Sequence, residues 1–136
     1  MLRVALLLAI LPRQIRKKSV PDLLESIDPG VADTAQDRDR MVKTVGFADS
    51  LLKYRMFQRY GKCFLRSLAL FRLLRQQGWP VGIRFGVKFV GPEEERQEPA
   101  EPHDGITGHS WLVLDGKPFL EDEQQREAYT TTYRYP

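Results

Sequence analysis

Residues 108–122 read GHSWLVLDGKPFLED. The segments 111–114 and 117–120 flank Asp115-Gly116. An Asp-Gly pair in this setting is a strong hairpin signal, because a type I′ turn needs positive φ at both central residues. With Asp115 and Gly116 in the turn, Leu114 faces Lys117. Counting outward, Trp111 faces Leu120, Ser110 faces Glu121 and His109 faces Asp122. Directly opposed residues share a face of the sheet, with Cβ atoms about 4.5–5.5 Å apart. The count therefore sets a carboxylate beside an imidazole, where it can fix the tautomer and stabilise the protonated ring. Glu121 points to the other face. A bulge between Leu114 and Asp122 would exchange the two acids.

Outward from the hairpin, the period tells strands from helices. Val81, Ile83, Phe85, Val87 and Phe89 alternate with Gly82, Arg84, Gly86 and Lys88, which predicts a half-buried strand. Residues 129–135 are rich in Thr and Tyr and predict another. Residues 91–107 carry three prolines and six acids, and read as a mobile surface loop, a spacer that could also act as a lid. Upstream the spacing is helical. Met41, Val42, Val45, Ala48, Leu51, Leu52 and Met56 recur every three or four residues, predicting a helix over 38–60. A second helix over 63–77 is apolar around most of its circumference, so it is expected to be buried on more than one side. Gly78 and Pro80 terminate it. A short helix over 21–27 has Ser19 as its cap. Helices first and antiparallel strands afterwards make an α+β fold, with N-terminal helices packed on a small antiparallel sheet.

The 136 residues suit one domain overall, with 1–40 as an apolar helix and linker and 41–136 as the core. Apolar residues make up 42% and charged residues 29%. A net charge of +3 does not point to nucleic acid. A basic middle, from Lys53 to Arg75, faces acids concentrated at 93–104 and 121–127. The single cysteine forbids an internal disulfide and fits a reducing, cytoplasmic setting. The apolar run 4–11 is far short of the roughly 20 residues that span a bilayer. No small-residue cleavage site follows it, so a docked helix is preferred to a secretory signal. Its basic flank, Arg13, Arg16, Lys17 and Lys18, leaves peripheral membrane contact open.

Cys63 follows Gly61-Lys62 and opens the most apolar helix. Helix N-terminal amides favour a thiolate, and Lys62 and Arg66 are expected to act in the same direction. The Cys63 amide is a candidate oxyanion donor, with Gln58 or Trp111 as possible helpers. A lone Cys beside Phe64 and Leu65 is more often core filler. The weight lies in its combination with a His-Asp pair whose register follows from the turn alone. His103 lies in the acidic loop with no strand to hold it. Two His and one Cys, with Asp104 or Asp122, match no metal-ligand spacing, so neither a metal nor a cofactor is expected.

The stretch from Gly61 through Cys63 to Leu70, then Gly108-His109-Ser110-Trp111-Leu112 and Asp115-Gly116, resembles the transglutaminase-like peptidases of lasso-peptide biosynthesis, the B proteins. The resemblance covers residues 42–122. It implies a papain/transglutaminase-like fold and a Cys-His-Asp triad that removes the leader from a ribosomally made precursor peptide. By position the nucleophile is Cys63, the general base His109 and the orienting acid Asp122. Fused B proteins carry a leader-recognition domain. Residues 1–41 are too few for one, so the resemblance implies a stand-alone peptidase that works with a separate recognition protein and the pathway's cyclase. Val113 stands where the family usually has an acid. Two other readings keep the same residues: acyl transfer or deamidation through the same thiol, and an inactive module that binds peptides along the strand edge at 129–135.

Overall fold

The computed structural model describes residues 2–54, 62–89, 106–120 and 129–136. Among these are four helices, α1 (Leu2–Lys17), α2 (Val20–Ile27), α3 (Arg38–Leu52) and α4 (Lys62–Gln76). Four strands follow, β1 (Gly82–Phe89), β2 (Ile106–Leu114), β3 (Lys117–Phe119) and β4 (Thr130–Tyr135). They form one sheet in the order β3-β2-β1-β4, with every pairing antiparallel. The α+β expectation, helices packed on a small antiparallel sheet, describes the molecule.

α4 is the centre. It packs against α1, α2 and α3 on one side and against β1 and β2 on the other. Leu65, Leu68, Ala69, Leu70, Phe71, Leu73 and Leu74 are all buried, as the apolar circumference requires. Its C-terminus closes in a Schellman motif. Trp79 N–H donates to Leu74 O, Gly78 N–H donates to Arg75 O, and Gly78 takes φ +86°. A Cβ at Gly78 would lie 2.5 Å from the Thr34 carbonyl oxygen, so space as well as φ demands glycine there.

The other helices depart from expectation at their ends. α2 starts at Val20, and Ser19 caps it by accepting from Asp22 N–H. α3 starts after Asp37, whose side chain accepts from Arg40 N–H. It ends at Leu52 rather than continuing to 60, and Tyr54 N–H closes a tighter turn on Leu51 O. Residues 55–60 lie outside the described residues. α1 runs on through Pro12 to Lys17. Proline lacks the N–H for an interior helix bond, but burial of Leu8 and Leu11 and packing of Ile15 on the core hold both sides of it.

The hairpin turn is as expected. Asp115 and Gly116 have φ +54° and +76°, and Leu114 pairs with Lys117. The ladder continues only to Leu112–Phe119, because Leu120 adopts φ +58° and leaves the strand. β2 is longer than residues 111–114 suggested. It begins at Ile106 and pairs along all of β1, so Ile106 and Thr107 belong to the sheet and not to the loop. Residues 91–105 lie outside the described residues.

Candidate active site

Cys63 is the second residue of α4 and is half-buried. The first N–H groups of a helix have no acceptor within it, and the Phe64 N–H is turned onto the Cys63 sulfur. From the sheet, the Ser110 N–H donates to the same atom. Among the described residues β3 pairs only as far as Leu112, and beyond it this edge of β2 meets the start of α4.

Side chains along β2 alternate. Ser110 and Leu112 turn toward α4, where Ser110 Oγ donates to Cys63 O at 3.1 Å and Ser67 Oγ donates to Ser110 O at 3.1 Å. These two serines fasten the first turns of α4 to the strand. His109 and Trp111 start on the other face, with their rings stacked at 5.8 Å. The Tyr129 ring centroid lies 4.9 Å from that of the imidazole. In contact with both aromatic rings, the His109 side chain hydrogen-bonds the Cys63 thiol.

The electrostatics follow from this geometry. Burial pushes the Cys63 thiol up. The hydrogen bond and positive charge of His109 oppose it, helped by the Ser110 and Phe64 amides, and the outcome is a pKa below the ordinary thiol value. Arg66, expected to assist, is committed elsewhere. Its guanidinium pairs with Asp49 at 2.6 Å and donates to Leu120 O at 3.3 Å. The Lys62 side chain is outside the described residues.

A cleft of about 390 Å³ opens at the thiol. Cys63, His109, Phe64, Phe85, Val87 and Thr132 line it. Thr132 enters through a β-bulge, where the β1–β4 register shifts between Phe85 and Gly86. The cleft is mainly apolar, with the hydrogen-bonded Cys63–His109 pair at its wall. Gly86 lies across the ladder from His109, and a Cβ there would come within 2.9 Å of the Trp111 ring. Glycine at 86 is what lets the indole lie over β1 and support the imidazole.

The structure therefore brings Cys63 and His109 together. Asp122, Glu121, Gln58, His103 and Asp104 lie outside the described residues. The chain leading to Asp122 departs from Leu120, whose carbonyl Arg66 holds one helical turn from Cys63. Trp111 does not line the cleft; its Nε1 is buried without a hydrogen-bond partner among the described residues. Among the described residues, no group of three or more His, Cys, Asp or Glu side chains gathers to hold a metal ion.

Sequence reasoning missed Ser67, Ser110, Gly86 and Tyr129. Ser67 is one turn after Cys63, and Ser110 alternates with His109, so both offered a spacing signal. Tyr129 gave none, because only the sheet order brings it to His109.

A family model described as the transglutaminase-like superfamily matches residues 1–134. Searches of curated proteins and of solved structures return no match.

Proposed function

The chain belongs to the transglutaminase-like superfamily, and from that premise we propose that it is a cysteine peptidase that cleaves the leader from a ribosomally made precursor peptide of the lasso class. The observation that supports this reading is the hydrogen-bonded Cys63–His109 pair at the mouth of an apolar cleft. The Cys63 thiolate adds to the carbonyl carbon of the scissile bond. His109, protonated by the thiol, gives that proton to the leaving amine as the C–N bond breaks. Water then adds to the thioester with His109 as base, and the acid and the free thiol are released. Asp122 is assigned to orient His109 from the family resemblance. The Cys63 amide at the helix start is assigned to the developing oxyanion. The peptide is delivered by a separate leader-recognition protein, in the cytoplasm.

The test is reconstitution with a precursor peptide and its recognition protein, read by mass spectrometry. Scission at the leader–core junction is expected, with loss of at least about 10³-fold in Cys63→Ala and His109→Ala. A product that has lost ammonia without chain scission would replace hydrolysis by acyl transfer, which needs no other residues. Undiminished cleavage by Cys63→Ala would remove the nucleophile assignment.

A further inference from the structure

α1 buries one face and leaves the opposite one uncovered. Val4, Leu8 and Leu11 are inside. Leu2, Leu6 and Ile10 are 84%, 58% and 39% exposed, and their spacing of four puts them on a single outward ridge. The same ridge continues as exposed Arg13 and Lys17. α1 thus presents an apolar N-terminal half and a cationic C-terminal half along one line.

The surroundings carry the same sign. Residues 1–21 hold five cations and no acid. Among the described residues, the grooves on either side of the ridge have no Asp or Glu in their walls. One of them, between α1 and α3, is lined by Arg3, Arg40 and Lys43. No described helix is long and apolar enough to cross a membrane, so the ridge suits a helix lying in an interface rather than one passing through it. Three aliphatic side chains in a row, flanked by cations, match the boundary between acyl chains and headgroups. An acyl layer admits it directly, while phosphates meet the cations beside it.

We infer that the α1 ridge docks the protein on an anionic lipid bilayer, with Leu2, Leu6 and Ile10 entering the acyl boundary and Arg3, Arg13, Lys17, Arg40 and Lys43 facing lipid phosphates. The surface lies toward the far end of α4 from the thiol. Leu73, which lines both grooves, is ten residues along that helix from Cys63, or about 15 Å of helical rise. Docking therefore leaves the cleft open to a peptide. The inference does not depend on which reaction Cys63 performs.

The test is co-sedimentation of the full chain with vesicles rich in phosphatidylglycerol and with vesicles of phosphatidylcholine alone. Binding to the anionic vesicles is expected, falling steeply as salt is raised. Leu6→Gln should weaken it about tenfold, and Arg13→Gln or Lys17→Gln about fivefold each. All three sites are exposed, so circular dichroism and Cys63 alkylation should match wild type. Equal binding to both vesicle types, an unchanged affinity in Leu6→Gln, or no sedimentation would overturn the inference. So would Leu6-dependent binding of an acidic amphipathic peptide by a protein that ignores vesicles, which would give the ridge to a protein partner.

Discussion

At Cys63 two opposing effects meet in one atom. Burial disfavours the thiolate, while an imidazole and two backbone amides favour it, and the second group prevails. The pH dependence of iodoacetamide alkylation should therefore inflect below the value of about 8.5 for a free thiol. In His109→Ala the inflection should move up, because the largest opposing influence is gone. The stability linkage has the sign of a depressed acid. The contribution of Cys63 is full above the unfolded thiol's pKa and is lost as pH falls through the folded one. Urea unfolding of Cys63→Ala should show that pH dependence removed. Ser110 acts on the same atoms by fastening. Ser110→Ala strips the donor from Cys63 O and is expected to cost about 1–2 kcal/mol in urea unfolding, with slower alkylation because α4 is less firmly held against β2.

Elements differ in how much of them a reader of the chain could see. α4 was legible because its apolar circumference and its glycine stop are local signals. Gly78→Ala is expected to lose at least about 1–2 kcal/mol for the left-handed residue alone. The contact with the Thr34 carbonyl adds to that loss in thermal unfolding. The hairpin turn and its first pairs were legible for the same reason. Its outer register was not, since Leu120 leaves the strand after Phe119 and its carbonyl is held by Arg66, a residue 54 positions away. Counting outward from a turn assumes an uninterrupted ladder, and a side chain from another element interrupts this one. The bulge that admits Thr132 to the cleft and the contact of Tyr129 with His109 are equally non-local. Thus the signals at Cys63 and His109 were local in the chain, whereas those for the wall of the cleft were not.

Across the whole molecule, one polar junction ties distant segments. Arg75 Nε pairs with Asp28 at 2.9 Å, an Arg75 NH group donates to Val81 O at 2.9 Å, and Tyr135 OH donates to Asp28 at 3.2 Å. The end of α2, the last turn of α4, the entry to β1 and the tip of β4 meet there. Asp28→Ala leaves a mostly buried guanidinium without its carboxylate, and a loss of about 3–5 kcal/mol is expected from denaturant titration. The burial of α4 has a further consequence for how this protein can vary. A helix enclosed by three helices and a sheet tolerates few changes of volume. A library randomised over 65–74 should return few folded members, while one over 130–134, where three of the five side chains are exposed threonines, should return many. Drift in what the cleft accepts would then accumulate on β4 and around the bulge, and the segment following Cys63 would stay nearly invariant.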